Sequence, residues 1–169
     1  FLARRVCMVG APRSQIAFNK KLFAYLHEPT VLERLPDAAA AAVQRHVPWT
    51  RALQPMRTSF HGERIDLLPF VRANPARFVI KPCVSKLGLG ITQGPYVEQH
   101  EWERALQQAA DADYIVQEFI TMPAAQYPPY DDPTADETRY VHLGEYVFGG
   151  RFCGVLGRTC RSPLLSLAT

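Results

Sequence analysis

Four lysines, Lys20, Lys21, Lys81 and Lys86, stand among fifteen arginines in this chain. Two of the four lead into a glycine-spaced loop, Gly88-Leu89-Gly90, within the stretch RFVIKPCVSKLGLGITQG from Arg77 to Gly94. Glycine lets backbone N–H groups come close to an anion, and an ammonium is a compact point charge that can follow a mobile phosphate where a guanidinium is a planar fork. Lys81, Lys86, Gly88 and Gly90 are therefore the residue types that cradle a polyphosphate. A plain hairpin with glycines in its turn and a solvated lysine produces the same G-x-G. The Walker A loop and the Rossmann fingerprint are both absent.

The flanking elements give the loop a fixed place. Phe78, Val79 and Ile80 form a short apolar run that reads as a buried strand, with Pro82 stopping it, so Lys81 falls at a strand end. The run from Glu98 to Ala112 places Trp102, Ala105, Leu106, Ala109 and Ala110 at helical spacing, with acids near its start. Tyr114 to Ile120, YIVQEFI, is β-branched and aromatic and predicts a strand with Gln117 and Glu118 at its polar end.

Strand, lysine, glycine loop, strand, helix and a strand ending in a polar pair is the order of the nucleotide-binding half of ATP-grasp enzymes, which the chain resembles. VIKP resembles the phosphate-binding lysine, the glycine loop the mobile flap, and VQEFI the hinge strand. RHVPWTR, GERIDLLPFV, FVIKP and YVFGGRFCGVLGR look most like circularly permuted ATP-grasp proteins, including relatives of glutathionylspermidine synthase. Asn19 and Lys20 resemble the D-K…L start of a family helix, with Asn in place of Asp; Lys20 and Lys21 read equally well as solvated helix charges. The resemblance implies phosphate contacts from Lys20, Lys81, Lys86, Gly88 and Gly90. It implies adenine and ribose contacts from Gln117, Glu118, Phe119 and Ile120, with the Glu118 carboxylate on a ribose hydroxyl. Arg158 is the expected catalytic cation, meeting the γ-phosphate or an acyl phosphate from a hairpin turned at Gly149 and Gly150. The implied fold is α+β, a partial ATP-grasp fold of two α/β lobes with a nucleotide cleft between the Lys81 and Glu118 strand ends.

The rest of the chain sets the boundaries. At 169 residues, 47% hydrophobic and 21% charged, it suits one globular domain in two lobes. A strand is expected over Leu2–Val9, and a helix over Gln15–His27 capped by Ser14. An alanine-rich helix capped by Asp37 should end before Pro48, with a turn over Pro48 to Arg51. Asp66–Arg72 reads as a short helix or a packed loop. Residues 1–47 are expected to be part of an incomplete amino-terminal domain and 48–120 the nucleotide-binding lobe. Residues 121–138 should be a long loop, its acids Asp131, Asp132, Asp136 and Glu137 either a lid or a solvated insert, and 139–169 the start of a second lobe. Lacking an initial Met and ending after a β-rich pattern, the sequence reads as a piece of a longer polypeptide.

A formal charge of +3, from nineteen basic and sixteen acidic residues dispersed along the chain, argues against a nucleic-acid groove. No run reaches the ~20 apolar residues of a membrane span. The four cysteines have no C-x-x-C pair and no secretory leader precedes them, which fits a reducing cytoplasm. The resemblance implies an ATP- and Mg2+-dependent ligase joining a carboxylate to an amine through an acyl phosphate. The E-x-N element that holds magnesium in the family does not occur here; in permuted members it precedes the lysines, so the metal ligands are expected outside this sequence. A nucleotide-binding module without ligase activity, or a phosphotransferase, shares the same lysines and remains the alternative reading.

Overall fold

The computed structural model describes residue 5 and residues 12–86, 88–129, 132 and 134–163. The strand expected over 2–9 and the Asp131 position lie outside the described residues. The architecture is mixed α+β with antiparallel sheets, and the chain divides into two compact units, one ending at Phe119 and one beginning at Ile120.

The first unit opens with α1 (Ser14–Phe18) and α2 (Lys21–Leu26), where a single helix was expected. Asn19 is extended at ψ 117° and breaks the run, and its side chain then accepts the Lys21 N–H at 2.9 Å. This is the local competition by which Asn starts helices rather than continues them. Ser14 makes no cap; Arg13 occupies that position. After α3 (Pro29–Leu32), α4 (Asp37–His46) is capped by Pro36, so Asp37 is its first residue rather than its cap.

Thr50 and Arg51, expected in a turn, instead begin β1 (Thr50–Ala52). Next come the hairpin β2 (Arg57–Phe60) and β3 (Glu63–Asp66), which turns through His61 and Gly62, both at positive φ, and α5 (Leu67–Ala73). Pro69 sits in the first turn of α5, where no intrahelical N–H bond is needed. The lysine strand β4 (Phe78–Pro82) is followed by β5 (Thr92–Gln93), α6 (Gln99–Ala110) and β6 (Tyr114–Glu118). A capping box between Glu98 and Glu101 starts α6.

One sheet runs β1-β6-β4-β5, every neighbour antiparallel. Its two faces differ in chemistry because side chains alternate along each strand. Phe78, Ile80 and Val116 join Phe60, Leu67, Val71, Trp102, Leu106 and Ala109 in the core. Trp102 is fully buried and its indole N–H donates to the Val71 carbonyl at 3.2 Å. Each such side chain contributes about 1.5–3 kcal/mol of transfer free energy. Thr50, Gln117 and Lys81 belong to the opposite face, and α2 packs against β1 and β6.

In the second unit, the three-stranded sheet β7 (Ala124–Tyr127), β8 (Glu137–Phe148) and β9 (Arg151–Cys160) is antiparallel throughout. The stretch expected as a loop over 121–138 thus carries a strand. Ala-Ala-Gln-Tyr has no alternating pattern to announce it, and it forms because the long β8 offers an edge to pair with. Gly149 and Gly150, at φ 56° and 75°, close the β8–β9 hairpin as the two-residue turn the sequence predicts. Among the described residues no helix is long and apolar enough to cross a membrane.

Candidate functional site

Lys81 lies on the last turn-ward residues of β4, directly opposite Ile115 of β6. Its ammonium donates to the side-chain oxygen of Gln117 at 2.6 Å. Gln117 in turn donates its amide nitrogen to the Thr50 hydroxyl at 2.9 Å, and that hydroxyl donates to the Pro48 carbonyl at 2.8 Å. The two inner members are buried, Thr50 at 0% and Gln117 at 8% exposure.

Lys20, just before α2, supplies a second ammonium. Its backbone N–H donates to the Cys83 carbonyl at 2.9 Å and its side chain to the Ser85 hydroxyl at 3.1 Å, which ties it to the chain leaving β4. Burial pushes the pKa of Lys81 below its ordinary value, and the nearby charge of Lys20 pushes it further in the same direction. Burial also lowers Lys20, partly offset by Cys83. Among the described residues neither ammonium is ion-paired; the acid in this region, Asp113, holds Lys21 instead. Lys20 and Lys81 thus act on one another through their charges, and an anion is the partner that would relieve that repulsion.

The glycine loop has the backbone its residues require. Gly88 and Gly90 sit at φ 78° and 74°, in the left-handed region. A Cβ at Gly90 would come within 2.7 Å of the Pro82 ring and 3.3 Å of the Tyr114 hydroxyl, so the loop lies close against the end of the lysine strand. Lys86 does not join the lysine pair: its ammonium lies over the Phe18 ring, 5.9 Å from the centroid.

Glu118 corrects the expected geometry. Being next to Gln117 on a strand, it faces the other side of the sheet, where its carboxylate pairs with His61 at 2.9 Å. A carboxylate there does not share a face with Lys81, so the expected side-chain contact to a ribose beside the phosphates is not formed by this arrangement. The Glu118 N–H donates to Trp49 and the Phe119 N–H to Arg77. The Phe119 ring meets Tyr96 edge to face at 5.7 Å.

Two expected residues belong to the second unit. Ile120 opens it and is exposed. Arg158 stands exposed on β9 opposite His142 of β8 and donates to its Nδ1 at 3.3 Å.

The structure adds Thr50 and Gln93 to the residues named from sequence. Gln93 pairs with Val79 across β4 and β5, which puts it on the Lys81 face, and its side-chain oxygen is buried without a hydrogen-bond partner among the described residues. Neither residue carried a sequence signal, because only strand register brings them to this face. Two surface hollows, about 510 Å³ beside Arg57, Arg64 and Asp66 and about 610 Å³ along α4, include none of the lysines. They are open surface depressions. Among the described residues no group of three His, Cys, Asp or Glu side chains is placed to hold a metal ion. Compared with known proteins, the chain matches no family model and no curated protein sequence.

Proposed function

We propose that the first unit binds the phosphates of a nucleoside triphosphate, and that it does so as the nucleotide-binding part of an ATP-dependent carboxylate–amine ligase of the permuted ATP-grasp kind. The observation that carries the reading is that Lys20 and Lys81, both half-buried, act on one another through their charges while neither is ion-paired among the described residues.

Lys81 and Lys20 would hold phosphate oxygens. A charge made costly by burial becomes favourable when an anion arrives, and hydrogen bonds between charged partners are the strong ones. Gly88 and Gly90 give the loop its positive-φ backbone, so its N–H groups can approach the same oxygens. The Phe119 ring supplies an apolar surface for a base. In this reading the Glu118 side chain has a structural role with His61. The described residues do not supply a magnesium-binding set, and no part of the proposal passes through the metal. Arg158 and Ile120 enter only through the family resemblance, as do the carboxylate and amine substrates. ATP, when bound, would supply the phosphoryl group that activates the carboxylate; the residues of this unit hold it, neutralise its charge and keep its phosphates in place.

Calorimetric titration of the chain with ATP and with ADP at low ionic strength tests the reading. Binding of both, weakened tenfold or more by Lys81→Met and by Lys20→Met, is the expected result; such a loss corresponds to roughly 1.5–3 kcal/mol for a charge-assisted contact. No binding of either nucleotide at millimolar concentration, or lysine variants within twofold of the parent, would overturn it.

A further inference from the structure

We infer that Thr50 and Gln117 act as a positioning relay that sets the direction in which Lys81 presents its ammonium to an anion; the inference rests on the phosphate-site reading above.

The argument is one of hydrogen-bond polarity. A hydroxyl has one hydrogen to give, and Thr50 gives it to the Pro48 carbonyl at 2.8 Å. Toward Gln117 the Thr50 oxygen can then only accept. The two ends of a glutamine amide are alike in size and differ in donor and acceptor character, so Thr50 selects the orientation: nitrogen to Thr50 at 2.9 Å, oxygen to Lys81 at 2.6 Å. Reversed, the amide would direct its own hydrogens at an ammonium. Thr50 and Gln117 are register partners across β1 and β6, and Gln117 and Val79 across β6 and β4, so the backbone fixes the spacing. Burial of Thr50 and Gln117 keeps water from substituting for either partner.

The relay occupies one of the three N–H donors of Lys81 and leaves the others for a ligand. It also supports the protonated form against the two influences that lower the pKa, burial and the charge of Lys20. Lys20 is the charged group that acts on Lys81. Cys83 acts on Lys20, and Lys21 is held by Asp113.

With four lysines in the chain, selective 13C labelling at Lys Cε resolves each ammonium by NMR, and a pH titration reads Lys81 directly. Thr50→Val and Gln117→Leu should both lower the Lys81 midpoint, Thr50→Ser should keep the parent value, and Gln117→Glu should raise it by placing a carboxylate beside the ammonium. ADP affinity should fall about three- to tenfold in Thr50→Val and recover in Thr50→Ser. A Lys81 midpoint that is the same in Thr50→Val and Thr50→Ser overturns the relay. Where Thr50→Val does not fold, an unchanged midpoint in Gln117→Glu overturns it. A chain that binds no ADP overturns the phosphate reading, while the lysine titration still decides whether the relay governs Lys81.

Discussion

Gln117 and Glu118 are adjacent in sequence and face opposite sides of one strand: the first holds Lys81 at 2.6 Å and the second holds His61 at 2.9 Å. A polar pair at a strand end reads as one functional dipeptide, yet the alternation of β-structure divides it between a candidate ligand face and a structural contact. The two residues should therefore respond differently to substitution.

Glu118→Gln alters a partly exposed hydrogen-bonded contact with His61, a contact of the kind that contributes about 0.2–1 kcal/mol, and nucleotide affinity should stay within about twofold of the parent. Gln117→Leu should weaken ADP binding while keeping the fold. Parallel titration calorimetry of the two variants checks this, and a tenfold loss confined to Glu118→Gln would reverse the assignment of faces.

Lys81 should also limit stability. Its folded pKa lies below the ordinary 10.5, so between the folded value and 10.5 the unfolded chain holds more protons and stability rises with pH through that window. Below the folded value the cost of the buried ammonium is fully present. The double substitution Lys81→Met with Gln117→Met, which removes the charge and its acceptor together, should raise stability at pH 7 by about 1 kcal/mol and reduce the rise toward alkaline pH, leaving the part due to Lys20. Urea denaturation at pH 7 and 10 measures both; equal pH dependence in parent and variant would remove Lys81 as its source.

The glycines should form a graded series. Gly62 has φ 87° and open space around a Cβ, so Gly62→Ala should cost about 1 kcal/mol. Gly90→Ala adds overlap with the Pro82 ring and should cost roughly 2–3 kcal/mol. A Cβ at Gly94 would overlap the Pro75 carbonyl itself, and Gly94→Ala should fail to yield a cooperative fold. Thermal unfolding ranks the three, and an inverted order would show that the loop at Gly90 yields more easily than the Gly94 backbone.

Gln93 offers a ligand-dependent prediction. Its buried, unpartnered oxygen costs stability as it stands, so Gln93→Leu should leave the free chain equally or slightly more stable. If a bound nucleotide supplies the missing donor, the same substitution should weaken ADP binding about threefold. Paired denaturation and binding measurements separate these effects, and unchanged ADP affinity would exclude Gln93 from the site.

The order of elements around Lys81 was legible because each has strong local chemistry: an apolar run stopped by proline, positive-φ glycines and a helix with a regular buried stripe. The β2–β3 hairpin was not, since Arg-Thr-Ser-Phe and Glu-Arg-Ile-Asp each bury a single residue and carry charges that mask alternation. Helical periodicity over Gln15–His27 concealed the break at Asn19, which a side-chain hydrogen bond imposes. Within the site, the lysines could be named from their types, whereas the Thr50–Gln117 contact spans 67 positions and exists only through strand register. The opposite facing of Glu118 follows from the same register.

Trp49 and Trp102 are the two tryptophans of the chain, and both belong to its hydrophobic core. Trp102 lies on the buried face of α6, while Trp49 adjoins Thr50 by one peptide bond, lies 4.9 Å beneath the Arg51 guanidinium and accepts the Glu118 N–H on its carbonyl. Replacing Trp102 with Phe would leave a single fluorophore attached to the strand that orients Lys81, so that emission from an unmodified side chain could follow occupancy of the lysine pair as it happens.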